Sequence, residues 1–436
     1  MQTNNKSSSE MTTVHTPARP MVHLHLTRRV FIVLLLALIA PWVLLAAVWL
    51  ARDLFLRTQT SKASVQAASS GRVTYAAPGP WGRLRCTRIA IEPPAEAIFV
   101  KPEDETPPRW WFVGFTLDKV RELFTAVGFK PEQVSFLIDR TSVDPATGTP
   151  VTSPPPEFVM EMPTETRRQL YRALAAFPEN PAQRFLATLR PEYVDERFED
   201  SELSPAIIAD IKRMMYPHEN FLMFADAGIL LPRLTNMVDK IHLLKTLARK
   251  NTLLVNLEID DHSDVDALVG YWGVGGRTKD IGPLLESLKR TPGGASVDIS
   301  HLLPRFVRER IYTFPYTSSA PVELRRDCHW SSLNFFKMKP DDRYGDPAFA
   351  SDTIRDEYYA ISTGERLGDL MLLINPKGEI VHSAVYIAEK IVFTKNGALA
   401  AHPWMYMKME DLLELYEGAL QAQGPLQVLY YRKRAE

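Results

Sequence analysis

The stretch that decides the fold of this chain is residues 368–397, which read GDLMLLINPKGEIVHSAVYIAEKIVFTKNG. Two short apolar runs flank the turn Asn375-Pro-Lys-Gly378, and a third run begins at Ile391 after a brief gap. Short apolar runs that are separated by turn residues are typical of antiparallel strands. The pattern therefore predicts consecutive hairpins, and together with helical patterns elsewhere in the chain it indicates the α+β class.

A histidine lies in the second of these strands. If the loop after Ile387 holds three residues, counting outward along the hairpin places His382 opposite Asn396, with Thr394 on the same face. Directly opposed residues have Cβ atoms about 5 Å apart, so Asn396 could accept the second N–H of the imidazole and fix its tautomer. A loop of even length would shift the register and present Lys395 instead.

A cysteine stands upstream, in the sequence Arg326-Asp-Cys-His-Trp330. The apolar residues that follow predict a helix that starts at Cys328, with Asp327 as its cap. The N-terminus of a helix stabilises a thiolate, and its free N–H groups can bind a developing oxyanion. The alternative is that Cys328 is a small buried residue without a chemical role.

Cys328, His382 and Asn396 together match the nucleophile, base and orienter of a thiol hydrolase. Each of them alone would more often be structural, but the joint pattern favours a catalytic site. The chain has two cysteines, Cys86 and Cys328, which are too few for a disulfide framework or a tetrahedral thiolate zinc site, although a single bridge between them stays open. The sequence predicts neither a metal site nor a cofactor.

The C-terminal part of the chain resembles the NlpC-type cell-wall thiol peptidases of the papain-like superfamily. Members of that family carry Pro-Tyr before an Asp-Cys pair, then Gly-Asp-Leu leading into a strand with the pattern His-x-x-x-Tyr. The corresponding residues here are Pro315-Tyr316, Asp327-Cys328, Gly368-Asp369-Leu370, and His382 with Tyr386.

The resemblance implies a C-terminal papain-like domain in which the helix bearing Cys328 packs on an antiparallel sheet. It implies Cys328 as the nucleophile, His382 as the general base and Asn396 as the orienter. It also implies that Tyr316 stands beside the cysteine as a polar wall or donor. Asp327, His329 and Thr394 are further candidates, from their positions in the sequence, for a substrate-binding or oxyanion role. The chain departs from the family where His329-Trp330 replaces Ser-Gly and where Gly-Gly after Pro-Tyr is missing, and both departures border the expected substrate groove.

An apolar run of 22 residues without a charge, VFIVLLLALIAPWVLLAAVWLA, begins at Val30. At 1.5 Å per residue a helix of this length spans about 33 Å, which is enough for the bilayer core. The alternative, a buried soluble helix, would lack a polar face over its whole length. Basic residues lie on both sides of the run, so the positive-inside rule does not indicate an orientation.

The overall composition is that of a folded protein, with 436 residues of which 45% are hydrophobic and 24% charged. Because 51 basic residues stand against 52 acidic ones, the chain has no general cationic field, which disfavours nucleic-acid binding. The sequence predicts five segments: a disordered tail at 1–29, a transmembrane anchor at 30–52, a linker at 53–72, a mixed α/β region of unknown role at 73–260, and the thiol hydrolase domain at 261–436.

These observations predict a membrane-anchored cysteine hydrolase that cleaves an amide bond, with a peptidoglycan stem peptide as the favoured substrate. That substrate would require the C-terminal body to lie outside the cytoplasm. Two alternatives stay open, a thiol acyltransferase or lipid hydrolase at the membrane surface and a non-catalytic envelope scaffold or binding protein. The sequence does not indicate the oligomeric state.

Overall fold

The computed structural model describes residues 73–100, 106, 108–184, 187–315, 326–398, 402–419 and 424–434. The tail, anchor and linker predicted for residues 1–72 lie outside these ranges. None of the helices within them is both long enough and apolar enough to cross a membrane.

Strands and helices are mixed along the whole described chain, which confirms the α+β class. The strands are β1 Val73–Tyr75, β2 Arg83–Ile91, β3 Trp110–Trp111, β4 Thr141–Val143, β5 Pro150–Thr152, β6 Ala187–Leu189, β7 Tyr216–His218, β8 Phe221–Phe224, β9 Lys250–Ile259, β10 Ala295–Asp298, β11 Tyr358–Ile361, β12 Leu370–Ile374, β13 Ile380–Ala388, β14 Ile391–Lys395, β15 Trp404–Lys408 and β16 Gln427–Lys433. The described strands pair antiparallel throughout, and the largest sheet has the order β11-β16-β12-β13-β14-β15.

The helices are short and surround the sheets. They are α1 Leu117–Ala126, α2 Pro131–Ile138, α3 Pro156–Met160, α4 Thr164–Leu174, α5 Pro181–Arg184, α6 Val194–Phe198, α7 Pro205–Met214, α8 Ala227–Leu230, α9 Met237–Ala248, α10 Val265–Trp272, α11 Thr278–Lys289, α12 Arg305–Arg308, α13 Cys328–Leu333, α14 Pro347–Glu357 and α15 Met409–Glu414. Side-chain caps begin several of them; for example, Ser204 accepts from the Ile207 N–H at the start of α7.

The hairpin β12–β13 forms where the sequence predicts it. At its turn Asn375 Oδ1 accepts backbone N–H groups of Lys377 at 3.0 Å and Glu379 at 2.9 Å, and Gly378 has a φ of +83°. Such a turn needs a residue that tolerates the left-handed region, which is the role of glycine here. The turn therefore brings the second strand back with His382 in the middle of the sheet.

The next hairpin, β13–β14, has the predicted register over most of its described pairs. Val385 is opposite Phe393 and Tyr386 is opposite Val392, as expected. At the closing end Ala388, not Ile387, pairs with Ile391, because the ladder contains an irregularity there. Continuing the main register outward places His382 opposite Asn396, one residue beyond the end of β14.

A second sheet, with the order β1-β2-β9-β10, packs behind the large one. One hydrophobic core joins both sheets and includes buried side chains from β2, β9, α13 and β14, namely Leu84, Val255, Trp330 and Phe393. The boundary that the sequence predicts near residue 260 falls between β9 and β10, two strands of this sheet that pair with each other.

A buried ion pair stabilises the region before the large sheet. The guanidinium of Arg167, on α4, contacts the carboxylate of Asp226, and both side chains are almost completely buried. Tyr171 donates its hydroxyl to the other carboxylate oxygen at 2.5 Å, and Arg167 also donates to the Val159 carbonyl. Both carboxylate oxygens and both terminal nitrogens of the guanidinium are thereby paired, which offsets the cost of burying two charges, whereas Arg167 Nε has no hydrogen-bond partner among the described residues.

Candidate functional site

Cys328 is the first residue of α13. Asp327 caps the helix by accepting from the Trp330 N–H at 3.0 Å, as the sequence predicts. Hydrogen bonds hold the helix on the large sheet; for example, Ser332 contacts Ser383 at 2.8 Å, and the Trp404 indole donates to Ser331 at 2.8 Å. Cys328 is 7% exposed, and both it and Cys86 are free thiols, so no bridge joins them.

The imidazole of His382 is completely buried and is held at both ring nitrogens. Its Nε2 lies 2.7 Å from the hydroxyl of Thr394, and its Nδ1 lies 2.7 Å from the hydroxyl of Tyr416. The rings of His382 and Tyr416 also pack together, with centroids 4.4 Å apart. Contacts on three sides therefore fix the orientation of the imidazole.

The hydrogen bonds beyond Thr394 assign the protonated nitrogen of His382. Thr394 donates its hydroxyl proton to Asn396 Oδ1 at 3.3 Å, so its oxygen is left to accept from His382 Nε2. A neutral imidazole has one N–H donor and one lone pair, so Nδ1 carries the lone pair. Asn396 thus acts on the imidazole through Thr394, whereas the sequence predicts a direct contact.

A second imidazole, that of His329, also contacts the thiol of Cys328. Its Nδ1 is 2.9 Å from Ser383 Oγ, Ser383 contacts Ser332, and Ser332 donates to the carbonyl of His329. Because Ser332 gives its hydroxyl proton to this carbonyl, the oxygen of Ser332 accepts from Ser383. The oxygen of Ser383 in turn accepts from His329 Nδ1. Nδ1 of His329 is therefore the protonated nitrogen, and Nε2 carries the lone pair.

The two imidazoles change the acidity of Cys328. Burial by itself raises the pKa of the Cys328 thiol, but the charge of His382 and hydrogen bonds with His329 and His382 outweigh it and hold the pKa well below its ordinary value. Burial lowers the pKa of His329, whereas its hydrogen bond to Cys328 and the charges of Cys328 and Asp327 raise it above its ordinary value. Both shifts favour a thiolate beside an imidazolium.

Two residues of the site were missed at the sequence level. Tyr416 lies 34 residues after His382, in a π-helical turn that follows α15, and no local pattern connects it to the histidine. Burial and the nearby charges of Cys328 and Asp327 raise the pKa of Tyr416, so its hydroxyl stays protonated. Ser383, the residue after His382, holds His329 through a hydrogen bond, and no local pattern indicates that contact.

Lys395, the alternative partner of His382, points away from that ring. Its ammonium donates to the Gly397 carbonyl at 2.5 Å. Burial lowers the pKa of Lys395 to about 8, although the charges of Asp327 and Cys328 oppose that shift. Lys395 therefore contributes positive charge near the sulfur at neutral pH.

The structure thus brings together most of the predicted site residues, namely Cys328, His382, Thr394, Asn396, Asp327 and His329. Tyr316 lies outside the described residues. The Gly368-Asp369 motif has a structural role, since Gly368 has a φ of +94° and a Cβ there would lie 2.2 Å from the Phe336 ring. Asp369 forms an ion pair with Arg432 at 2.7 Å.

No cluster of histidine, cysteine, aspartate or glutamate among the described residues could hold a metal ion. The acidic run that begins at Asp260 forms a turn, in which Asp260 accepts from Ser263 at 3.0 Å. Asp264 then caps α10 by accepting from the Ala267 N–H.

The lowered pKa of Cys328 predicts a distinctive alkylation profile. With iodoacetamide in native buffer, we expect the rate for Cys328 to rise less steeply between pH 6 and 8 than that of an ordinary thiol, because its lowered pKa leaves more of it as thiolate. Cys86 is the matched control, since burial raises its pKa to about 11. Peptide mass spectrometry of quenched samples measures both rates.

The same reaction in urea supplies the reference, because both unfolded thiols should then react faster by about tenfold per pH unit below their ordinary pKa. If the alkylation rate of Cys328 in the folded protein rises with pH as steeply as in urea, the pKa of Cys328 is not lowered.

Comparison with models of known protein families, with curated proteins and with solved structures gives no match for this chain.

Proposed function

We propose that this chain is a cysteine hydrolase that cleaves an amide bond. The observation that carries the proposal is the position of the Cys328 sulfur beside the His382 imidazole, whose far nitrogen is held by Thr394. Covalent catalysis by a thiol needs a nucleophile, a base and a group that orients the base. A helix that starts at the cysteine and packs on an antiparallel sheet supports the resemblance to papain-like hydrolases.

The proposed reaction starts once the thiol proton has passed to His382 Nδ1, and the Tyr416 hydroxyl, 2.7 Å from that nitrogen, turns from donor to acceptor as the proton arrives. The thiolate attacks the carbonyl carbon, and the N–H of Cys328, which has no partner within the helix, stabilises the oxyanion. The imidazolium gives its proton to the leaving nitrogen as the C–N bond breaks and a thioester remains. Water then loses a proton to His382 and attacks the thioester, which releases the acid and restores the thiol.

We favour a peptidoglycan stem peptide as the substrate, on the basis of the motifs shared with the NlpC-type peptidases. This choice requires the body of the protein to lie outside the cytoplasm, held by the predicted anchor. Fusing a reporter that is active only outside the cytoplasm to the C-terminus tests this orientation. A reporter signal from the cytoplasm would remove peptidoglycan as the substrate.

The decisive experiment offers the full-length protein two substrates. Purified muropeptides and phospholipid vesicles are incubated separately, and mass spectrometry follows the products. New amine and carboxyl termini from the muropeptides are the expected result. Release or transfer of fatty acyl chains instead would favour the acyltransferase or lipid hydrolase, and no product from either would favour the scaffold.

Thr394 is proposed as a positioning residue for His382. Replacing it by valine keeps its shape but removes the oxygen that accepts from Nε2, so we expect kcat to fall by about 10²-fold or more, with KM little changed. Thr394→Ser restores the hydroxyl and should recover most of the activity. The ultraviolet absorbance of the thiolate, followed against pH, measures the effect on Cys328 independently of any substrate.

A purely structural role for Thr394 would lower the unfolding temperature of both variants without moving the thiolate titration. That result would contradict the proposed contact.

A further inference from the structure

A cavity of about 190 Å³ borders the candidate site. Basic and polar side chains from several elements line it, among them Arg88, Arg190, Arg197, Lys250, Asn396 and His402. Asn396 connects it to the chemistry, because Asn396 accepts from Thr394, which in turn holds His382. The cavity therefore ends two hydrogen bonds from the proposed catalytic imidazole.

Two of the four cations in this lining are neutralised within the chain. Arg88 pairs with Glu196 at 2.6 Å, and Arg190 pairs with Asp411 at 2.9 Å. The other two, Arg197 and Lys250, have no carboxylate partner among the residues that the structure describes. Arg197 donates only to backbone carbonyls, those of Thr246 and Arg249.

Burying unpaired cations side by side is unfavourable. Burial and the charge of Arg197 lower the pKa of Lys250 to about 8, which still leaves most of the ammonium charged at neutral pH. Arg197 is also a cation at that pH, because a guanidinium is not deprotonated in proteins under these conditions. Two uncompensated charges that face one cavity indicate that an anion binds there.

His402 adds a hydrogen-bond acceptor to the same wall. Burial and the charges of Lys250 and Lys395 lower the pKa of His402 to about 3, so the ring is neutral. Its Nδ1 is buried and has no hydrogen-bond partner within the described chain. A ligand that fits this wall has a negative group for the cations and an N–H or O–H for the imidazole.

We propose that this cavity binds a carboxylate of the peptide substrate, together with the N–H group beside it. The inference rests on the proposed function and adds the feature by which the site recognises its substrate. The volume agrees with this assignment, because pockets that enclose whole small ligands measure about 300–1,000 Å³, whereas this cavity has room for one terminal group. The remainder of the peptide would extend from the cavity toward Cys328.

Binding to the full-length Cys328→Ala protein, which cannot turn over the peptide, tests the inference. The probes are a synthetic stem-type pentapeptide with a free terminal carboxylate and the same peptide with a terminal carboxamide. We expect the carboxylate peptide to bind at least about tenfold more tightly than the carboxamide, since a charged hydrogen-bonded partner is worth about 1.5–3 kcal/mol. Adding Lys250→Met should remove this difference, and the exposed control Lys119→Met should keep it.

Equal affinity for the carboxylate and carboxamide peptides would overturn the inference. The inference would also be overturned if the Lys250→Met variant kept the same preference for the carboxylate peptide as the protein without that substitution. Inorganic phosphate is the third probe. Phosphate that competes weakly, in a Lys250-dependent manner, supports the cavity as an anion site for the peptide. Phosphate that binds more tightly than the carboxylate peptide would overturn the assignment to substrate.

Folding of the variant is measured separately. Without peptide, we expect Lys250→Met to unfold at a higher temperature, because it removes a buried unpaired charge. A lower unfolding temperature would show that Lys250 has a stabilising partner in the chain, against the inference.

The inference and the proposed function fail in different ways. If carboxylate binding depends on Lys250 but no Cys328-dependent hydrolysis occurs, the proposed function is wrong and the binding site is supported. If the protein hydrolyses both peptides equally well, the binding site is wrong and the proposed function is supported.

Discussion

Cys328→Ala is expected to reduce hydrolysis of the amide substrate by about 10⁵-fold or more in kcat, since removing the nucleophile of a covalent mechanism leaves only binding and oxyanion stabilisation. The structure supports a loss of this size because Cys328 contacts both imidazoles. Product formation from muropeptides, measured by mass spectrometry under saturating substrate, gives the rate. The fold should be preserved, because alanine fits the first turn of α13.

Cys86→Ser is the matched control. Cys86 is also buried and free, but it lies in β2, away from the two histidines, and burial raises its pKa to about 11. We expect this variant to keep full activity per folded molecule. Activity that survives in Cys328→Ala, or that disappears equally in both variants, would rule out Cys328 as the nucleophile.

Arg167→Met is expected to lower the free energy of unfolding by about 3–5 kcal/mol, because it leaves the carboxylate of Asp226 buried without its cation. Urea denaturation followed by tryptophan fluorescence measures the change. Burial raises the pKa of Asp226, and the charge of Arg167 opposes that shift. Without Arg167 the pKa of Asp226 rises further. Protonation of Asp226 then stabilises the folded state at pH values below its ordinary pKa, and this contribution is lost as the pH rises.

The destabilisation should accordingly be larger at pH 8 than at pH 5. The exposed Arg172→Met is the control, and it should change stability by less than about 0.5 kcal/mol. The double variant Arg167→Met with Asp226→Leu should recover much of the loss, since a buried pair can often be replaced by apolar groups of similar size. A double variant as unstable as Arg167→Met alone would show that the pair is not the cause.

The parts of the fold that depend on local sequence could be predicted. The turn at Asn375, the cap at Asp327 and the start of α7 after Ser204 are each determined by a few neighbouring residues. The hairpin register could also be obtained by counting, because both strands share one short loop. These features explain why Cys328 and His382 could be singled out.

The rest of the site depends on contacts that the sequence does not display. Tyr416 reaches His382 from a turn beyond two further strands, and Ser383 binds His329 because α13 packs over β13. The preference for Thr394 over Asn396 as the direct partner of His382 depends on side-chain reach, which the register alone does not determine. The cavity near Lys250 joins segments about 150 residues apart, so no motif indicates it.

The opposite tautomers of the two histidines have a consequence for the titration of the site. His329 has its proton on Nδ1 and His382 has its proton on Nε2, so the lone pairs are on His329 Nε2 and on His382 Nδ1, beside which the Tyr416 hydroxyl lies. Cys328 and His329 shift each other's pKa, so protons leave this pair in macroscopic steps that belong to the pair and not to either member. The acidic limb of a pH–rate curve for this protein will therefore report the shared loss of one proton from Cys328 and His329 together.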